Sequence, residues 1–376
     1  MGKSKVYFTN FRTRPDQNIL QKLDKLMKKA EMEKIVFDKK FTAVKMHFGE
    51  PGNLAFIRPN YVRRITDYLK SLGGLVFLTD TNTIYRGKRS HAVDHLQTAA
   101  ENGFNPISVG CNVIIADGIK GTDQREVEID CKHVKTAKIG TAIADADIIV
   151  TVNHFKGHEM TGFGGAVKNL GMGCGSRCGK LEMHSSSKPV MIEEKCIGCG
   201  QCAKSCSQDA VYFNNKKAQI DMVKCIGCGQ CVSACLYDAA VIQFNEAADI
   251  AAEKIAEYAY AAIKDKPAFH ISFIMNISPN CDCWWFNDTA IVPDIGIAAS
   301  YDPVALDKAC VDMVNNAPEI KGSALDDNIQ QNCSHSAGEH SDKFKIIYPG
   351  IDWFVTLKHA EELKLGSLDY ELVQID

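Results

Sequence analysis

The residues with the plainest chemistry are eight of the chain's sixteen cysteines. Cys196, Cys199, Cys202 and Cys206 follow C-x2-C-x2-C-x3-C, and the same pattern recurs at Cys225, Cys228, Cys231 and Cys235. Three thiolates so close on one loop can grip three irons of a [4Fe–4S] cube. The intervening glycines let backbone amides turn towards cluster sulfurs, and the fourth cysteine ligates the other cube. The spacing therefore predicts two [4Fe–4S] clusters, one on Cys196, Cys199, Cys202 and Cys235, the other on Cys225, Cys228, Cys231 and Cys206. A pair of zinc knuckles is the competing reading, but zinc sites close with four ligands at other spacings. Thiols used as ligands rather than as disulfides indicate a reducing compartment.

Two further groups could do chemistry. In Asn280-Cys281-Asp282-Cys283-Trp284-Trp285, an extended segment puts both thiols on one face, as a metal chelate or a redox pair requires. Cys174 and Cys178 draw the same question, whereas Cys111, Cys131, Cys310 and Cys333 read as small buried hydrophobes. The second group lies in the stretch from Asn153 to Gly173. A strand end, a glycine-rich turn with Gly164 and Gly165, and Lys168 just beyond the turn suggest backbone donors and a cation collected around an anion or cofactor. The spacing is not that of a P-loop, and the glycines could instead serve close packing. His158, Lys168 and His184 are expected to converge on one crevice.

The elements that must position these residues alternate. The apolar period switches between two and about 3.6, which predicts an α/β fold with a mostly parallel sheet and flanking helices. Strands are expected at Val6–Thr9, Val44–Phe48, Leu75–Leu78, Val113–Ala116, Ile148–Val152, His270–Ile277 and Ile291–Ala298. Helices are expected behind Asp16, from Pro59, over Ala92–Glu101, over Glu246–Lys264, and over Asp302–Val314 with Asp302 as N-cap. The loops after the strands carry His47, Asp80-Thr81-Asn82-Thr83, Asp117-Gly118 and Asn153-His154, where an open parallel sheet places its ligand crevice. Because the alternation resumes beyond the cysteine-rich stretch, residues 1–186 and 246–376 read as two parts of one α/β unit. Residues 187–245 read as an inserted α+β ferredoxin-like domain with motifs in 187–216 and 216–245.

Composition limits the partners. The 376 residues are 45% hydrophobic and 24% charged with a formal net charge of −3, which offers no broad basic field for nucleic acid. No run of 18 uncharged apolar residues suggests a membrane span, and the N-terminal residues have no apolar signal core, so a cytoplasmic location is expected.

The cysteine-rich stretch resembles the two-cluster bacterial ferredoxins, including the Asp-Ala turns after each fourth cysteine, although Ser207 and Leu236 stand where those proteins usually carry proline. Over most of its length the chain is similar to domain-of-unknown-function family 362, uncharacterised iron–sulfur centre proteins. The shared segments are His47-Phe48-Gly49-Glu50, Arg58-Pro59, Asp80–Thr83, His154-Phe155-Lys156-Gly157-His158, Lys168–Gly173, Cys281-Asp282-Cys283, Val292–Gly296 and Asp302–Asp307. That likeness implies no reaction. His158-x3-Gly162-Phe163-x-Gly165-x-Val167-Lys168 also resembles a segment of the nickel-pincer lactate racemases. That resemblance implies an acid/base at His158, a covalently held nickel-pincer cofactor on Lys168 and a nickel ligand at His184, with His47 in the place of a second catalytic histidine.

Three functions are expected. The first is an oxidoreductase in which the clusters pass single electrons to a crevice formed by His47, His154, His158 and Lys168 with Cys281 and Cys283, acting on a small anionic substrate. The second is a ferredoxin-like carrier that docks a redox partner protein. The third is a racemase- or isomerase-like enzyme with a nickel-pincer-type site.

Overall fold

The computed structural model describes residues 3–85, 87–184, 188–206, 208–225, 229–235, 237, 239–241, 246–331 and 342–375. Eight strands form one sheet: β1 (Ser4–Asn10), β2 (Phe41–Lys45), β3 (Leu75–Asp80), β4 (Asn112–Ile115), β5 (Ile148–His154), β6 (Ala268–Ile274), β7 (Gly296–Ser300) and β8 (Tyr370–Gln374). Their spatial order is β8-β1-β7-β6-β5-β2-β3-β4, and β7 alone runs against its neighbours, so the sheet is mostly parallel.

Every residue of β5 is buried, which places it at the centre of a sheet covered on both sides. Its side chains alternate between two cores. Ile149 packs on one face with Leu170, Ile255 and Leu306. Ile148, Val150 and Val152 pack on the other with Leu26, Val62 and Ile65. The second face carries α1 (Ile19–Lys29), α2 (Pro59–Ser71) and α3 (Ala92–Glu101); the first carries α4 (Ala166–Cys174), α5 (Arg177–His184), α6 (Ala248–Ile263), α7 (Pro303–Asn316) and α8 (Phe354–Glu362). From β2 the chain moves outward through β3 to β4, then returns to build β5 and β6 on β2's other side. The carboxyl ends of β2 and β5 therefore flank the point where the sheet's winding reverses, which is where doubly wound sheets leave a crevice.

Some sequence expectations need correction. The second strand ends at Lys45, so Met46 and Phe48 are buried in a loop rather than a strand. The strand expected over Ile291–Ala298 is Gly296–Ser300, with Ile291 and Val292 packing into the core from a loop. Helix α1 is capped by Asn18, whose side chain accepts the Leu20 and Gln21 amides, and not by Asp16. Asp302 does cap α7, accepting from the Val304 and Ala305 amides. Between 190 and 241 the chain forms two short helices (Gln201–Lys204 and Gln230–Ala234), a hairpin (Val211–Asn214 with Lys217–Ile220) and the strand pair Val190–Met191 with Ala240–Val241, around an apolar cluster of its own. No helix among the described residues is long and apolar enough to cross a membrane.

Candidate functional site

A cavity of about 710 Å³ opens over the carboxyl ends of β2, β3 and β5, a volume within the usual range for small-molecule and cofactor sites. Its wall contains His47, His154, His158, Gly164, Gly165, Lys168, His184, Cys281 and Cys283, so the α/β site residues expected from sequence meet in one place.

The local structure explains why. A short hairpin pairs Lys156–His158 with Gly162–Gly164, so Lys156 and His158, two apart on a strand, share one face. Gly157 between them lies against the Pro279 carbonyl with no room for a side chain, and Gly164 faces Lys156 across the hairpin, where a β-carbon would stand 2.6 Å from Lys156 Nζ. The next helix, α4, begins at a glycine and draws its cap from elsewhere in the chain. Asp307 on α7 accepts the amides of Ala166 and Val167 at 2.7 and 2.9 Å. Asn169, one residue after Lys168, ties α4 to the sheet through Asn153 Oδ1 at 2.8 Å and Lys45 Nζ at 2.7 Å.

Charges around the cavity fall into two sets. Most are neutralised within the wall: Lys45 Nζ lies 2.9 Å from Asp80, and Arg89 binds Glu50 at 2.5 Å. Lys180 donates to Thr81 Oγ1 and to the Gly175 carbonyl, and burial lowers its pKa to about 8. Lys156, 8% exposed, makes no hydrogen bond and no ion pair among the described residues, and neither does the less buried Lys168. Burial would lower the Lys156 pKa, but the nearby Cys281 and Asp282 outweigh it, so this ammonium stays charged in the wall and with Lys168 can meet an anionic ligand.

The histidines have defined tautomers. His158 Nδ1 accepts the Met160 and Thr161 amides at 3.1 and 3.3 Å, and His47 Nδ1 accepts the Gly49 amide at 3.0 Å. Burial, reinforced by Lys168 at His158 and by Arg89 at His47, lowers both pKa values, to about 3 at His47, so each ring is neutral with its proton on Nε2. His184 is likewise pushed down to about 3 by burial and then by Lys168. His154 differs: Nδ1 lies 2.8 Å from Asp282 Oδ2 and Nε2 lies 2.8 Å from the Met275 carbonyl. Both partners accept, so both nitrogens donate, and the ring is an imidazolium paired with a carboxylate. Burial would raise the Asp282 pKa, but His154 and Lys156 outweigh it and hold it at about 2.

His158, Cys281 and Cys283 place one donor atom each within 4.8 Å of one another, a spacing at which three groups could hold a metal ion. The sulfurs are unequal. The Cys283 thiol donates to Cys281, so the Cys281 pKa lies well below the ordinary thiol value and that of Cys283 well above it.

In the cysteine-rich segment, Cys196, Cys199, Cys202 and Cys235 line one small cavity with Ile197, Phe213, Ala218 and Tyr237. Cys196, Cys206 and Cys235 each accept a backbone amide on sulfur, from Ala218, Ala210 and Ala239, all at 3.3 Å. Cys225 and Cys231 are described; Cys228 lies outside the described residues, as does Cys333. Cys174, Cys178 and Cys310 are buried in the α/β core, and Cys111 and Cys131 are buried too. The segment touches the main fold through α5. Gly229, at φ +71°, lies so close to Leu181 that a β-carbon there would clash with its Cδ2, and Arg177 donates to the Val232 carbonyl at 3.5 Å. The same helix also puts Lys180 and His184 into the wall of the large cavity.

Lys45, Arg89 and Lys180 carry no sequence signal that separates them from other charged residues, whereas Asp80 stands in a loop after a strand and Lys156 is two residues from His158.

The family model described as domain of unknown function (DUF362) matches residues 42–312. No curated protein matches. Among solved structures, the chain is similar to the lactate racemase apoprotein from Thermoanaerobacterium thermosaccharolyticum, with 12% identity and a TM-score of 0.41 over 84% of this chain and 58% of that one. It thus spans less than two thirds of that structure. It is also similar to a Thermotoga maritima protein solved by a structural genomics consortium, with 10% identity and a TM-score of 0.40 over 96% of this chain and 89% of that one.

Proposed function

This chain belongs to the DUF362 family, and from that premise we propose that it is an iron–sulfur oxidoreductase that transforms a small anionic substrate in the cavity over β2 and β5. The observation that carries the reading is the placement of α5, which touches the cysteine-rich segment at Leu181 and Arg177 and the cavity at Lys180 and His184. Residues 187–245 are read as the inserted module. Two [4Fe–4S] clusters would be held by Cys196, Cys199, Cys202 and Cys235, and by Cys225, Cys228, Cys231 and Cys206. The shared small cavity of the first four and the amide-to-sulfur hydrogen bonds fit such thiolates. When bound, these clusters supply single electrons. Lys156 and Lys168 bind the substrate anion; Gly164 makes room for the Lys156 ammonium and Gly165 for the Asp307 cap of α4. His158 and His47 present neutral Nε2–H groups to it as hydrogen-bond donors.

The test is anaerobic purification with iron and sulfide analysis, followed by a screen of carboxylates and phosphate esters for one that changes the absorbance of the reduced protein. A compound that reoxidises wild type but not Lys156→Met supports the reading. A protein that is reduced and reoxidised only by other proteins is the ferredoxin-like carrier instead.

A second reading has its own observation: Lys168 makes no hydrogen bond among the described residues and shares the cavity with His158 and His184. In a racemase-like enzyme Lys168 would carry a nickel-pincer-type cofactor. Intact-mass measurement of native protein decides, since an adduct on Lys168 together with bound nickel belongs to this reading alone.

A further inference from the structure

Electron delivery to a bound anion leaves unused the best-fixed turn in the cavity. Cys281 and Cys283 flank Asp282, and the Trp284 amide closes the turn onto the Cys281 carbonyl at 3.1 Å. The Asp282 side chain, between the two cysteines in the cavity wall, is buried against the His154 imidazolium, at 2% and 3% side-chain exposure. Asn53 donates to the Trp284 and Phe286 carbonyls at 3.4 and 3.1 Å, and the Trp284 indole donates to Glu159 at 2.9 Å. The turn is thus anchored to the end of β5, to the loop after β2 and to the hairpin of Lys156, and it turns both sulfurs to the same side. Residues two apart on a tight turn bring their α-carbons within the range a disulfide spans.

Metal ligation fits this site less well than its spacing suggests. A ligating histidine coordinates through one bare nitrogen and donates the N–H of the other to a carbonyl, carboxylate or water. His158 does the reverse: Nδ1 is occupied by two backbone amides, so the nitrogen facing the cavity carries the proton. Two sulfurs are left, with a hydrogen-bond donor beside them and Lys156 and Lys168 in the same wall. A buried structural thiol has neither a cavity in front of it nor a second thiol within 4.8 Å.

We propose that Cys281 and Cys283 are a redox pair that cycles between dithiol and disulfide on the cavity wall. In the oxidising direction each thiol gives up one proton and one electron, and one Sγ–Sγ bond forms. In the reducing direction that bond accepts two electrons and two protons and breaks. The partner is either a dissolved thiol/disulfide couple, which exchanges both electrons at once through a mixed disulfide, or the iron–sulfur centres, which exchange them singly. The second route rests on the oxidoreductase reading; the first does not. The two protons are exchanged with solvent in the cavity, the neutral His158 Nε2–H donates a hydrogen bond towards the sulfurs, and His154 and Asp282 are positioning residues that hold the turn.

The experiment equilibrates full-length protein, anaerobically, with mixtures of reduced and oxidised dithiothreitol, then alkylates free thiols and maps the peptide containing residues 281–283. The proposal expects a single reversible two-electron transition, from a doubly alkylated peptide to an unmodified one 2 Da lighter than the dithiol, while Cys174, Cys178 and Cys310 do not change state. Cys283→Ser should abolish the transition and leave Cys281 as a mixed disulfide with the added thiol. Equal iron content in variant and wild type shows that the variant has folded. Two outcomes overturn the proposal. One is alkylation of both cysteines across the whole range with no disulfide at any ratio. The other is protection of both at every ratio by about one equivalent of zinc or nickel that Cys281→Ser releases. Iron analysis of the same samples separates the two claims: a disulfide transition in a protein without iron keeps the redox pair and removes the oxidoreductase reading.

Discussion

Removing the carboxylate of Asp282 tests whether its pairing with His154 holds the cysteine turn. In wild type the Asp282 pKa falls from 3.8 to about 2, in spite of complete burial, because of the His154 and Lys156 charges. A fall of that size corresponds to roughly 2–3 kcal/mol of preference for the charged form in the folded state. Truncation also leaves the His154 N–H without its acceptor inside the fold, and breaking a buried pair from one side typically costs about 3–5 kcal/mol. Asp282→Ala should therefore lose about 3 kcal/mol at pH 7. Asp282→Asn keeps an acceptor oxygen, exchanges a charge-assisted hydrogen bond for a neutral one, and should lose about 1–2 kcal/mol. The pH dependence has a definite sign. A carboxyl with a depressed folded pKa contributes stability above its unfolded pKa and loses it as pH falls through the folded value. The gap between wild type and Asp282→Ala should thus be full above about pH 5 and close between about pH 4 and pH 2. The assay is anaerobic urea unfolding followed by tryptophan fluorescence. The difference between the two proteins carries the test, since both share every other acid-sensitive group. A gap below about 0.5 kcal/mol at pH 7, within the range of neutral surface substitutions, would refute the pairing.

Three other outcomes are expected. Cys206→Ala should damage the cluster otherwise held by Cys225, Cys228 and Cys231 and leave about four of eight irons, because ligation crosses between motifs; iron analysis after anaerobic reconstitution checks it. Gly229→Ala should lower the thermal midpoint, since the added carbon meets Leu181 Cδ2 and the backbone is left-handed; overpacking of this kind costs about 1–3 kcal/mol. Adding Leu181→Ala should restore part of that loss, and simple additivity would show that the two elements do not touch. Lys156→Met should abolish the rise in melting temperature that phosphate or a dicarboxylate gives the wild type, because the buried ammonium has no hydrogen-bond or ion-pair partner among the described residues; an unchanged shift would place the anion elsewhere.

The sheet was largely readable from the sequence because each strand carries a short apolar run bounded by loop residues, and β5, buried throughout, was placed from Ile148. Where runs continue into buried loops, as at Met46 and Phe48 or at Ile291 and Val292, hydrophobicity alone put the strand in the wrong place: burial was correct and backbone pairing was not. Helices α4 and α5 were missed for a different reason. Gly171, Gly173 and Gly179 lower local helix propensity, and the cap of α4 comes from Asp307, more than a hundred residues away, so no local signal marks its start. The candidate site was legible as far as its histidines, Lys168 and Cys281/Cys283, since those types at those spacings are uncommon. The status of each depended on partners that only folding supplies. Lys45 and Lys156 are both buried lysines in the wall, and it is the direct contact of Asp80 with Lys45, against attraction without contact from Cys281 and Asp282 at Lys156, that separates a structural cation from a binding one.

The central claim, that iron–sulfur centres in the cysteine-rich segment serve the cavity, is tested most directly by an anaerobic EPR redox titration of the full chain with iron and spins quantified on the same sample. Two cubes should give about eight irons per chain, with each cube taking up one electron. Zinc in place of iron, or iron without a reducible paramagnetic signal, would contradict it.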